Sequence, residues 1–143
     1  MHALARVSFV AERDIGEASV DELWRRLSDV ESIPKYWHGH REVNVLQKDG
    51  NTYRVTIRYA FPSIFGSNIG KSTVLVDEKM KAIKFDNTDG PVVGTITVRI
   101  DEVSRRLVCE YDVSVSSPMG SWVRKHFMSG VEHAFDRLLA QNG

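Results

Sequence analysis

The sequence is poor in cysteine, and this scarcity limits the kinds of site that it can form. Cys109 is the single cysteine among 143 residues. One thiol cannot close a disulfide within the chain, and it argues against a zinc site built on cysteines. The sequence also lacks the motifs of a nucleophile elbow, a phosphate-binding loop and a zinc protease. The composition therefore indicates neither a disulfide scaffold nor one of these enzyme classes.

An excess of charge and a long apolar run are also missing. Lys plus Arg and Asp plus Glu both number 19, so the formal net charge is zero. A balanced charge disfavours a nucleic-acid partner, and no polybasic stretch favours a membrane surface. No run approaches the roughly 18 apolar residues that a membrane span needs, and Arg6 and Glu12 interrupt the N-terminal stretch as they would not in a signal peptide. We expect a cytoplasmic protein without nucleic-acid partners or stable membrane insertion.

What the sequence does contain is a series of alternating apolar and polar residues, which is typical of half-buried strands. An Asp-Gly pair within residues 48–51 predicts a hairpin turn. On strand 70–78 the alternation does not decide which residues face the interior. The inner set is either Ser72, Val74 and Val76 or Thr73 and Leu75. The expected strands are 6–14, one from residue 41 to that turn, 53–61, 70–78, 80–87, 92–103 and 106–116.

Helices are predicted at three places. Ser19 and Glu22 form a capping box at the start of a helix over 19–29. Pro34 cannot continue that helix, so residues 31–37 should form a separate short helix or turn. Pro118 suits the first turn of a long C-terminal helix that runs to about Leu139.

The resulting order, one strand, two short helices, six strands and a long helix, resembles the START-like helix-grip superfamily. The stretch ASVDELWRRLSDVESIPKYW (18–37) is similar to the first helix pair of that superfamily, with Asp29, Pro34 and Trp37 in its turn. The resemblance implies an α+β fold in which a curved seven-stranded antiparallel sheet, two short helices and a long C-terminal helix enclose a cavity. Residues 1–143 would then be a single ligand-binding domain of the minimal prokaryotic type.

Such a cavity would be lined by the inward side chains of the strands and of the last helix. The alternative is that the same side chains fill a solid core. The candidate ligand-binding residues are Trp37, Tyr53, Val55, Ile57, Tyr59, Phe61, Phe65, Ile83, Phe85, Ile96, Val98, Cys109, Tyr111, Val113, Trp122, Val123, His126 and Phe127.

The connection AFPSIFGSNIG (60–70) is unusually apolar for a loop between strands. Exposed apolar segments commonly mark binding surfaces. We interpret it as a lid at the cavity mouth, with Phe65 facing Trp37 as a gate. A permanent core cap, a dimer contact and a transient membrane contact are the alternatives.

The histidines give little support for a metal site. His38 and His40 are spaced as H-x-H, but no H-x-x-x-H or H-x-x-E pattern supplies a third ligand, and we expect both at an exposed joint between helix and strand. His126 and His133 are seven residues apart, about 10.5 Å along a helix, which is too far to share an ion. We expect neither a metal nor another cofactor.

Three functions remain open at this point. The preferred hypothesis is binding, with transport as an extension, of an apolar or amphipathic small molecule such as a fatty acid, quinone or polyketide-like compound. An alternative is a polyketide cyclase or dehydratase with His126 and Tyr111 as the acid–base pair. A second alternative is a protein-interaction domain that uses the 60–70 loop. We expect the protein to be a monomer or a weak homodimer.

Overall fold

A computed structural model describes residues 4–60, 68–116 and 121–140 of the chain. Within these ranges it contains seven strands, three α-helices and one short 3₁₀ turn at Val30–Ser32. The helices are α1 (Val20–Leu27), α2 (Ile33–Tyr36) and α3 (Ser121–Ala140). The strands are β1 (Leu4–Asp14), β2 (His40–Asp49), β3 (Thr52–Tyr59), β4 (Ile69–Asp77), β5 (Ala82–Asp89), β6 (Val92–Asp101) and β7 (Arg106–Ser116).

The strands form one antiparallel sheet in the order β1-β7-β6-β5-β4-β3-β2. The predicted α+β helix-grip fold is therefore confirmed, with α3 packed along the concave face of the sheet. The predicted turn between β2 and β3 is also present, and Gly50 adopts a φ of +60° there. On β4 the residues that face the interior are Ser72, Val74 and Val76, which are buried.

A glycine near the start of β6 lets the sheet bend. Gly94 has a φ of +131°, a value that other residues rarely adopt. A Cβ atom at this position would stand 2.4 Å from the carbonyl oxygen of Asp112 on β7. Close backbone approach and an unusual φ are typical of a strand that turns a corner, and this curvature helps to leave room between the sheet and α3.

Hydrogen bonds fix the two short helices against their surroundings and so position the residues that follow them. The Ser19 hydroxyl accepts a hydrogen bond from the Glu22 amide at 3.3 Å, as the capping box predicts. The Tyr36 hydroxyl donates to the Leu27 carbonyl at 3.2 Å. Arg137 on α3 donates to the Tyr36 carbonyl, also at 3.2 Å. The end of α2 is therefore tied to both neighbouring helices, directly before Trp37.

Two predictions fall outside the described residues. Pro118, expected to open the last helix, lies in the range 117–120, and the description of α3 starts at Ser121. Most of the apolar loop, including Phe61 and Phe65, lies in the range 61–67. The proposals that this loop acts as a lid or a contact surface stay predictions.

Candidate functional site

A cavity of about 310 Å³ opens between α3, the sheet and the segment that joins α2 to β2. Aromatic and aliphatic side chains form its inner part, and histidine and arginine side chains stand among its other walls. The lining residues are Trp37, His38, Gly39, His40, Arg41, Tyr59, Ala60, Val92, Ile96, Tyr111, His126, Phe127, Ser129, Gly130, His133 and Arg137.

A β-bulge brings two consecutive residues of β2 into the wall of this cavity. His40 pairs with Tyr59 and Glu42 pairs with Arg58, so Arg41 is the extra residue in the ladder. On a regular strand neighbouring side chains point to opposite faces. The bulge interrupts that alternation, and both His40 and Arg41 line the cavity.

The expectation that His38 and His40 share an exposed joint is correct for His38 and wrong for His40. His38 is exposed in the turn before β2, whereas His40 is only 3% exposed. The ring of His40 lies 4.4 Å from that of Trp37 and 5.5 Å from that of Phe85, centroid to centroid. The bulge and the turn explain the difference, since the two histidines do not lie on one regular strand and do not share a direction.

Burial leaves the His40 imidazole in an unusual chemical state. Neither of its ring nitrogens has a hydrogen-bond partner among the described residues. Because burial penalises the charged imidazolium, the pKa of His40 falls to about 3. His40 is therefore a neutral imidazole at physiological pH, with one unpaired N–H and one unpaired ring nitrogen beside the cavity.

Tyrosine and tryptophan rings build the inner wall. Tyr111 on β7 stacks between Phe9 at 4.7 Å and Phe127 at 5.4 Å. The Trp37 ring stands edge-on to Tyr111 at 6.3 Å. Burial raises the pKa of the Tyr111 hydroxyl well above its usual range, so this phenol keeps its proton. It can donate a hydrogen bond to a ligand, but it cannot accept a proton as a phenolate base.

A second tyrosine is held in a hydrogen-bonded chain. The Tyr59 hydroxyl donates to the Asn87 side-chain oxygen at 3.1 Å, and the Asn87 amide donates to the Gly94 carbonyl at 3.2 Å. Burial raises the pKa of Tyr59, so it too remains a neutral phenol. Its ring forms part of the cavity wall, while its hydroxyl is hydrogen-bonded to Asn87 of β5.

One flank of α3 supplies the remaining wall. His126, Gly130, His133 and Arg137 follow one another at intervals of four, three and four residues, which places them in a stripe along the helix. The stripe runs beside the apolar stripe that packs on the sheet. Gly130 leaves space in it, because a Cβ atom there would meet no atom within 4 Å.

The structure brings six of the candidate ligand residues together in the walls of the cavity and places the other described candidates elsewhere, while Phe61 and Phe65 lie outside the described residues. Tyr53 is half-buried, with the Lys48 ammonium 5.3 Å from its ring centroid, and Trp122 is 44% exposed and stacked on His126. Val98 and Cys109 line a separate void of about 10 Å³. The six are Trp37, Tyr59, Ile96, Tyr111, His126 and Phe127, and the buried residues outside these walls are Val55, Ile57, Ile83, Phe85, Val113 and Val123.

Several wall residues were not among the candidates. His38 and His40 were considered as a metal pair and as a joint, and Arg41 was not considered, because a one-residue bulge leaves no mark in the alternation of one strand. The stripe through Ser129, Gly130, His133 and Arg137 was readable as a helical period beside His126. Polar residues in that stripe suggested solvent rather than a cavity wall.

No group of three metal-binding side chains occurs within residues 4–60, 68–116 and 121–140. Of the helices described, none is long and apolar enough to cross a membrane.

Comparison with known families gives a match over almost the whole chain. The family model described as "Polyketide cyclase / dehydrase and lipid transport" matches residues 6–141. A comparison with curated protein sequences gives no significant match.

Solved structures with the same fold come from bacteria and plants. The Zhui aromatase/cyclase from Streptomyces sp. R1128 is 15% identical, with a TM-score of 0.64 over 96% of this chain and 92% of that one. The ginseng major latex-like protein 151 from Panax ginseng is 10% identical, with a TM-score of 0.64 over 95% and 97%. A START superfamily protein from Mycobacterium smegmatis is 16% identical, with a TM-score of 0.58 over 96% and 95%. At these identities the likeness establishes the fold alone.

Proposed function

Because the chain belongs to the polyketide cyclase / dehydrase and lipid transport family, we propose that it binds an apolar or amphipathic small molecule in the cavity beside Trp37. A fatty acid, a quinone or a polyketide-like compound is the class of ligand that such a cavity suits. Residues 1–143 act in this proposal as one ligand-binding domain.

The observation that carries the proposal is the combination of apolar and polar side chains in the walls of this cavity. Trp37, Tyr59, Ile96, Tyr111 and Phe127 present aromatic and aliphatic surface to the space. Arginine, histidine and serine side chains stand in the same walls, on the turn before β2, at the start of β2 and on α3. Small-molecule sites are typically concave, mostly apolar and fitted with a few polar groups.

Apolar burial is the expected source of affinity. Each Å² of apolar ligand surface removed from water contributes about 25 cal/mol before the cost of association. A cavity of about 310 Å³ lies at the small end of the range for ligand sites, so we expect one ligand molecule of modest size.

A neutral fluorescent dye, phenylnaphthylamine, tests the proposal because its emission rises when it leaves water for apolar surroundings. We expect saturable binding with one dye per chain, and displacement by decanol. A linear rise without saturation would show only weak surface adsorption and would contradict the proposal. Native mass spectrometry of the purified protein would then identify any small molecule carried from the cell.

A second candidate is catalysis of a cyclisation or dehydration in the same cavity. It is favoured by one observation, that His126 and Tyr111 both line this space. Tyr111 keeps its proton and suits the role of hydrogen-bond donor to a carbonyl oxygen, while His126 would move the proton of an enolisable carbon. Turnover of a polyketide-like substrate should then fall in His126→Ala with little loss of affinity, whereas a pure binding protein has no turnover to lose.

A further inference from the structure

We infer that the ligand carries an acidic head group, which lies outside the apolar cavity in a neighbouring basic cleft. This inference deepens the proposed function and depends on it. The head group would be a carboxylate or a phosphate at the end of one apolar chain. His38, Arg41 and Arg58 would hold the head group, and the chain would lie against Trp37 and Tyr111.

The cleft is a shallow open space of about 390 Å³ lined by Pro34, His38, Arg41 and Arg58. His38 and Arg41 line the apolar cavity as well. The two spaces therefore border each other along these two side chains. An apolar space that continues into a cationic one matches an amphipathic molecule with a negative end.

Two of the side chains that line the cleft, His38 and Arg41, are free to bind an anion. Neither His38 nor Arg41 forms an ion pair or a side-chain hydrogen bond with the described residues, and both are exposed. Arg58 is different, because its guanidinium lies 3.2 Å from the Glu42 carboxylate. Arg41 should therefore contribute most to anion recognition, since its five N–H donors match a carboxylate or phosphate geometrically.

Acidic side chains do not line either space, and the Glu42 carboxylate beside the cleft is paired with Arg58. None of the residues that line the cavity or the cleft is an aspartate or a glutamate. Asp136, which lies 4.0 Å from the His133 imidazole, is itself bound to Arg13. Every Asp, Glu, Lys and Arg of the chain falls within the described residues.

The bulge in β2 connects this charge to the apolar space. Arg41 is the unpaired extra residue between His40 and Glu42. Bulges commonly re-aim a side chain near a functional site. Here the bulge lets the Arg41 guanidinium line the cavity together with His40. On a regular strand, Arg41 would point to the opposite face of the sheet.

Displacement of phenylnaphthylamine by decanoate, decyl phosphate and decanol tests the inference at neutral pH and low ionic strength. We expect at least one of the two acids to bind more tightly than decanol. Arg41→Gln should weaken binding of that acid about tenfold, the change expected when one charge-assisted contact is removed, and should leave decanol unchanged. Added salt should reduce the preference for the acid, because the cleft is open to solvent.

Arg54→Gln is the matched control, because Arg54 is an exposed arginine of the same sheet that lies outside both spaces. It should leave the binding of all three compounds unchanged. Equal affinity of decanol and both acids, or equal losses in Arg41→Gln and Arg54→Gln, would overturn the head-group inference while leaving the cavity proposal intact. If neither the dye nor decanol binds, the cavity proposal falls and this inference falls with it.

Discussion

His40 is a polar ring enclosed by aromatic side chains, and its protonation should limit stability in acid. The folded protein holds its pKa at about 3, while an unfolded chain binds the proton near pH 6.5. The depressed pKa of His40 stabilises the fold fully when the pH is above the pKa of the unfolded chain. This stabilisation declines as the pH falls from there toward the pKa of the folded protein. Between pH 7.5 and pH 5 the loss should be about 2 kcal/mol of unfolding free energy.

The His40→Leu variant should lack this part of the acid destabilisation, because no imidazole remains to take up a proton on unfolding. Urea unfolding at several pH values measures the difference. His38→Leu is the control, since His38 is exposed two residues away and no similar burial surrounds it. If His40→Leu and the wild-type protein lose the same free energy between these pH values, the account of His40 is wrong.

Trp37 offers an optical signal from the cavity wall. It is 3% exposed and lines the cavity, whereas Trp122 is 44% exposed and Trp24 donates a hydrogen bond to Glu78 at 2.7 Å. In a Trp24→Phe, Trp122→Phe background, we expect saturating decanol to shift or quench the remaining emission. An emission spectrum unchanged at saturation would place the bound molecule away from Trp37.

At the scale of single elements, α3 combines two faces that the sequence predicts with different success. The apolar stripe through Val123, Phe127 and Val131 follows from the helical period and is buried. The neighbouring stripe through Gly130 and His133 lines the cavity. Periodicity alone does not distinguish a cavity wall from a solvated flank, because both accept polar residues.

Gly130 leaves space in the cavity wall, and it should lower the stability of α3. Glycine inside a helix costs about 0.5–1 kcal/mol relative to alanine. A Cβ atom at this position meets no neighbour within 4 Å, so Gly130→Ala creates no clash. We therefore expect Gly130→Ala to raise the free energy of unfolding by about that amount, as measured by thermal or urea unfolding. A variant less stable than the wild-type protein would show that the helix is strained or packed differently here.

Strands were predicted more completely than the site that they support. Alternation identified all seven strands within the described residues, since burial of one face dictates the period. The bulge at Arg41 was not predicted, because it depends on how β2 pairs with β3. Pairing is a property of two strands and is not visible in the pattern of one. His40 was misplaced for the same reason, although its H-x-H spacing with His38 had drawn attention to it.

For the whole molecule, the order of elements was sufficient to predict the topology, while the position of the cavity required the folded chain. The cavity draws on the segment before β2 and the first two residues of β2, on the end of β3, on the first half of β6, on the middle of β7 and on one flank of α3. Whether inward residues fill a core or border a space depends on sheet curvature, here aided by Gly94 at a φ of +131°. Val55, Ile57 and Phe85 therefore belong to the packed interior, and Tyr111 and Phe127 border the space.

The central claim is that one small molecule occupies the cavity between α3 and the sheet. Filling that cavity from within is the most direct test, and Gly130 permits it because its position is open. Phenylnaphthylamine titration should compare the wild-type protein with Gly130→Ala, which barely changes the volume, and Gly130→Phe, which places a ring in the space.

We expect Gly130→Ala to bind the dye nearly as the wild-type protein does, and Gly130→Phe to lose affinity by at least about tenfold, or 1.4 kcal/mol, while unfolding at a similar temperature. Equal dye affinity in a folded Gly130→Phe protein would contradict the account, because the dye would then bind somewhere other than this cavity.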